Sequence, residues 1–130
     1  MRDLYITATD TTPEVLLSFD SSIFRIKGKS TPLDGESFYK DIIAWFDGYV
    51  ENAHERTVLD IHLENMNLSS SKMILFILYR LKELKTQGKE VLVNWGHLED
   101  DKEMIEVAED YEFMVDIPFK LNAIELALSI

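Results

Sequence analysis

Thr57 to Trp95 is the stretch that most restricts the fold, because three elements of different period follow one another in it. Thr57 to Glu64 alternates, with Val58, Asp60, His62 and Glu64 on one face and Leu59, Ile61 and Leu63 on the other, the signature of a half-buried strand. Asn67 to Ser71 then supplies capping oxygens, and a helix is expected from about Ser70 to Gln87, with Gly88 at its C′ position. Val91 to Trp95 reads as the next strand. A strand, a helix and a strand in direct succession point to a sheet covered by helices.

The rest of the chain extends the pattern. Leu4 to Ala8, Val15 to Phe19 and Ile23 to Lys27 are short β-rich runs, and Asp20-Ser21-Ser22 between the last two predicts an N-terminal hairpin. Apolar residues at Phe38, Ile42, Trp45, Phe46, Tyr49, Val50 and Ala53 make the stripe of an amphipathic helix. Glu99 to Phe113 reads as an acidic helix, and beyond Pro118 a last apolar segment, Phe119 to Leu128, is left without an assigned element. The order β-β-β-α-β-α-β-α gives an α/β fold with a mixed sheet. No linker or internal repeat divides the 130 residues, so 1–130 is read as a single domain.

Charge narrows the function. Thirteen basic residues against twenty-four acidic ones leave −11, a field that repels phosphate backbones and anionic headgroups, so neither nucleic acid nor a membrane is expected as a partner. There is no cysteine, hence no thiolate nucleophile and no thiolate metal site. The first twenty residues lack the basic start and unbroken apolar core of a signal peptide, and the longest apolar run, Met73 to Tyr79, is far short of the roughly 20 residues that cross a bilayer. A soluble, cytoplasmic protein is the expectation.

Catalytic motifs are sparse: no Gly-rich phosphate loop, no G-x-S-x-G and no H-E-x-x-H occurs. Asp60, His62 and Glu64 share a strand face and are the best candidates for a metal, yet a half-exposed strand shows that alternation anyway, and no metal or other cofactor is expected. His54 and His97 read as solvated residues. Glu99, Asp100, Asp101, Glu103, Glu106, Glu109, Asp110, Glu112 and Asp116, opposed only by Lys102, read as a solvated helix face rather than a docking surface for a basic partner, with Asp100, Asp101 and Glu103 favouring the helix start.

Two features point to interaction. A hydroxyl in the Asn67–Lys72 loop sits at a helix N-terminus, where an added phosphate is stabilised, although Asn67, Ser69 and Ser70 are equally ordinary caps. Met73-Ile-Leu-Phe-Ile-Leu-Tyr79 is apolar all round for two turns, whereas a helix on one side of a sheet needs one apolar face. With Ile74, Ile77, Leu78, Leu81 and Leu84 towards the sheet, Met73, Phe76 and Arg80 line another face. Either a partner or neighbouring helices cover it. A partner site is expected from Glu64 and Met66 through Met73, Phe76 and Arg80.

Thr12-Pro13-Glu14-Val15, the Gly28-Lys-Ser-Thr-Pro32 turn, Phe38-Tyr39 leading to Trp45 and Tyr49, Asn67-Leu-Ser-Ser-Ser-Lys72, Gly88 to Trp95, Glu109-Asp-Tyr111 and Ile117-Pro-Phe119 together resemble the SiaC family of bacterial regulatory phosphoproteins. The resemblance implies a fold related to STAS domains of the anti-sigma-factor antagonist type, and a non-enzymatic protein that works by partner switching. It implies a serine/threonine kinase that phosphorylates the protein, a metal-dependent phosphatase that reverses this, and a diguanylate cyclase bound and activated by the unmodified form, with cyclic-di-GMP and biofilm formation as output. The family's acceptor is the threonine of Asn-Thr-Ser-Ser-x-Lys; Leu68 stands there, while Asn67, Ser69, Ser70 and Lys72 match. Two readings stay open: the acceptor has moved to Ser69 or Ser70, or the chain is a permanently unmodified interaction module with Leu68 extending its docking surface.

Overall fold

The computed structural model describes residues 1–124. Its elements are β1 (Leu4–Ile6), β2 (Glu14–Ser18), β3 (Ile23–Ser30), α1 (Gly35–Tyr49), β4 (Arg56–Met66), α2 (Leu68–Thr86), β5 (Glu90–Leu98), α3 (Lys102–Val115) and β6 (Phe119–Ile124). The sheet runs β1-β2-β3-β4-β5-β6 in chain order. The β1/β2 and β2/β3 pairs are antiparallel and the other three are parallel. The mixed α/β fold read from the alternation is the observed one.

Topology follows from local chemistry. Ser18 opposes Ile23 across the expected hairpin, which turns through Ser22 at φ 53°. Each later strand pair is bridged by one helix, and right-handed crossovers proceeding one way along a sheet put every helix on the same side. Val15, Leu17, Phe24, Ile26, Leu59, Ile61, Leu63, Val93 and Trp95 face those helices and are fully buried or nearly so. The alternate residues Leu16, Arg25, Val58, Asp60, His62 and Asn94 are only half-buried, on the helix-free face.

The boundaries moved where caps outrank periodicity. Helix α1 starts at Gly35, ahead of its first large apolar residue, because the Asp34 carboxylate accepts from Ser37 N. Asn67 caps α2 by accepting from Ser70 N, 2.9 Å, so Leu68 is already helical. Gly88, at φ 87°, closes α2 as expected: its N–H reaches Lys85 O while Lys89 N reaches Leu84 O, the paired bonds of a Schellman end. Asp101 is the cap of α3. Phe119–Ile124, unassigned in the sequence, is a sixth strand paired with β5; positions 125–128 of that apolar segment lie outside the described residues.

Two histidines correct the sequence reading. His97 is only 7% exposed, with Nδ1 2.8 Å from Leu98 O. His54 stacks on Phe19 at 4.2 Å between ring centroids, and its Nε2 lies 2.7 Å from Phe19 O. His97 is therefore buried and His54 half-buried, because both fill space beside strand ends.

Candidate functional site

The loop that enters α2 is fastened to the loop that enters α1. Asn67 N donates to Ser30 O at 3.0 Å, Asn67 Nδ2 to Pro32 O at 2.8 Å, and Gly35 N to Ser69 Oγ at 3.0 Å. Beneath them runs a buried hydroxyl chain in which Tyr39 donates to Ser30 Oγ, 2.6 Å, and Ser30 Oγ donates to Ser70 Oγ, 2.7 Å. Burial pushes the Tyr39 phenol up to about 12, with its hydrogen bond to Ser30 opposing. This tyrosine stays neutral and structural.

The cluster thus separates its three positions. Ser70 is fully buried, its hydroxyl inside the chain, so no enzyme reaches it without opening the fold. Ser69 is half-buried and already accepts the Gly35 N–H. Leu68 is 88% exposed at the first position of α2, held there by the bonds of Asn67. Lys72, one turn on, is exposed.

Beside this apex, α1 and α2 enclose a groove of about 550 Å³. Asp34, Glu36, Ser37, Lys40 and Ile43 form one wall and Lys72, Met73 and Phe76 the other. Met73 is 6% exposed and belongs to the core, so only its edge reaches the floor; Phe76 is half-buried. The all-round apolar character of α2 is explained largely by its central place. Ile74, Ile77, Leu78, Leu81 and Leu84 are fully buried, Arg80 pairs with Asp47 of α1, and Ser71 meets Tyr111 of α3 at 2.9 Å. Tyr111 in turn donates to Ser71 O, and burial raises its phenol to about 12.

The residues expected to form one partner site are therefore divided. Met73 and Phe76 share the α1/α2 groove, joined there by Lys72 of the expected phosphate motif, whereas Glu64 and Met66 lie apart from it, in a small cleft with Asp101, Glu103, Met104 and Val107. Arg80 is tied to α1 further along. Gly35, Ser30, Tyr39, Lys40 and Ile43 were missed. A capping signal at Asp34 could have moved the start of α1 back to Gly35, but nothing local marks a hydroxyl chain that joins positions 30, 39 and 70.

Asp60 and His62 follow one another along β4 on the helix-free side, whereas Glu64 falls at a register shift between β3 and β4 and lines the cleft beside α3. Asp60 Oδ1 accepts from Asn94 Nδ2 at 2.8 Å, and burial lowers the His62 imidazole below its ordinary value, with Asp60 opposing and Lys27 and Arg25 assisting. Among the described residues no three His, Asp or Glu side chains converge as metal ligands. No helix among them is long and apolar enough to cross a membrane.

Among the described residues, a helix-covered mixed sheet carries a groove beside an exposed helix start, an arrangement suited to offering a surface to another protein. The family is SiaC, described as SiaC family regulatory phosphoproteins: its model matches residues 6–124, and the chain belongs to it. Apo-SiaC from Pseudomonas aeruginosa superposes with a TM-score of 0.85 at 27% identity, over 95% of this chain and 100% of that one. SiaC in the crystal structure with the diguanylate cyclase SiaD, where it is that enzyme's activator, gives 0.87 at 25% identity over 94% of this chain and 100% of that one. An uncharacterised Pseudomonas aeruginosa protein is 26% identical over 123 residues, covering 95% of this chain and 98% of that protein.

Proposed function

We propose that the chain is a non-catalytic regulator that acts in the cytoplasm by partner switching, binding and activating a diguanylate cyclase and so controlling cyclic-di-GMP and biofilm formation. The observation that carries this reading is the superposition, over 94% of the chain, on a SiaC bound to the cyclase it activates. The docking surface is the exposed Leu68 apex with the adjoining α1/α2 groove, whose apolar floor of Ile43, Met73 and Phe76 is flanked by Lys40 and Lys72. A serine/threonine kinase and a metal-dependent phosphatase would act at the start of α2, where a phosphate adds about −1.5 to −2 charges beside an apolar contact.

A second reading, a constitutive binder, is favoured by one particular arrangement. The exposed position carries a leucine with no hydroxyl, and the two serines after it are engaged in hydrogen bonds within the fold. Phosphoryl transfer needs the attacking oxygen in line with the γ-phosphate, which a buried or tethered hydroxyl does not offer.

Titrating the source organism's diguanylate cyclases with the purified chain, while following cyclic-di-GMP production, tests the function; no binding and no activation by any of them overturns it. The switch is tested by treating wild type and Leu68→Thr with the cognate kinase. Rapid labelling of Leu68→Thr alone supports the constitutive binder, whereas equal labelling of both shows that a serine has taken over.

A further inference from the structure

We infer that the Ser69 hydroxyl and Gly35 form a latch that sets the separation of the two groove walls, making both positioning residues for the partner surface; the functional part of this inference rests on reading that groove as the docking site. Gly35 opens the α1 wall and Ser69 stands one residue short of Ser70 and three before Lys72, which begins the α2 wall. At their first turns the two helices meet directly through Gly35 N to Ser69 Oγ at 3.0 Å, beside the bonds of Asn67 to Ser30 and Pro32 and above the Tyr39–Ser30–Ser70 chain.

The approach is possible only without a side chain at position 35. A Cβ there would lie 2.3 Å from Ser69 Oγ and 3.1 Å from both Ser69 Cβ and Ser69 C. The first distance is far inside van der Waals contact, and the others are tight. Gly35 is buried, so its N–H has no water to turn to if the hydroxyl leaves, and an unpartnered buried donor is costly. Gly35 is therefore required for packing against Ser69.

The latch makes the opposite prediction from a relocated phosphoacceptor. If Ser69 were only an acceptor, the unmodified Ser69→Ala protein would bind its partner as well as the wild type. As a latch, Ser69→Ala loosens the start of the α1 wall and weakens binding even where no kinase is present. Gly35→Ala acts at the same point, because the added methyl displaces the hydroxyl.

Amide hydrogen exchange, read by NMR on the full chain without any partner, is the direct test. Ser69→Ala is expected to speed exchange at Gly35 roughly five- to tenfold, the loss of one hydrogen bond, while Ser69→Thr, which keeps the oxygen, stays near wild type. Unchanged Gly35 exchange in a folded Ser69→Ala protein overturns the latch. In parallel, affinity for the cyclase activated by the wild type is expected to fall in Ser69→Ala and Gly35→Ala, to hold in Ser69→Thr, and to fall no further in the double variant. Faster exchange with unaltered affinity overturns the positioning role. A wild type that binds no cyclase refutes the docking reading instead, and leaves the exchange result to judge the latch alone.

Discussion

Alkaline unfolding tests the buried hydroxyl chemistry most sharply. Tyr39 and Tyr111 are enclosed, and burial raises both phenols from 10.0 to about 12. The unfolded chain starts to lose these protons near pH 10 while the folded chain keeps them, so over that interval the unfolded state binds fewer protons and stability falls as pH rises. A shift of about two units gives about 2–3 kcal/mol per tyrosine, and about 5 kcal/mol for the pair by pH 12. A domain of this size has about 5–15 kcal/mol in total, so the loss is large. Tyr49, also raised by burial, acts in the same sense. Urea unfolding followed by circular dichroism should give a nearly flat stability up to about pH 9 and a slope of about −2 to −3 kcal/mol per pH unit near pH 11. Tyr39→Phe costs about 1 kcal/mol at neutral pH, since Ser30 loses its donor, but it should roughly halve the alkaline slope. A stability that stays level through pH 11.5, or a slope undiminished in both Tyr39→Phe and Tyr111→Phe, would refute the reasoning.

Phe76→Glu places a charge on the groove floor and should abolish cyclase binding in a titration while leaving far-UV circular dichroism unchanged; full affinity in that folded variant would remove the groove from the interface. Gly96→Ala drives a methyl to 2.5 Å from the His62 ring and is expected to cost about 1–3 kcal/mol, read as a lowered melting temperature that His62→Ala partly restores. The His62 imidazole is held below its ordinary value by burial, so its unfolded form takes up a proton first. Stability should therefore decline as pH falls through about 6.5, and His62→Gln should flatten that part of the urea midpoint profile.

The alternation in β4, the caps around Asn67 and the glycine after α2 were legible because each is decided by neighbours in sequence. Phe119–Ile124 was not, because its strand character comes from pairing with β5 rather than from its own period. The same distinction governs the site. Asn67, Leu68 and Lys72 stand together in the sequence and were found together, whereas Gly35 and Ser69 meet only once the β3-α1-β4 crossover has folded. Met73 looked like spare apolar surface because a helix read alone shows its whole circumference; α1 covers that side. His97 looked solvated because nothing in its neighbours announces that a strand end will enclose it.

The sequential strand order has a further consequence for how the chain acquires its structure. Asp60 pairs with Arg25 on one side and Asn94 on the other, so every strand finds its neighbour across one hairpin or one helical crossover and none waits for a distant segment. Each closure therefore spans one hairpin or one βα unit rather than the whole chain, and the three parallel pairs, which need a helical crossover, are the slow steps. The β1–β3 meander can form as soon as it leaves the ribosome, and each βα unit can then add to an existing edge in the order of synthesis. Assembly proceeds from one border of the sheet to the other, and β6 arrives last.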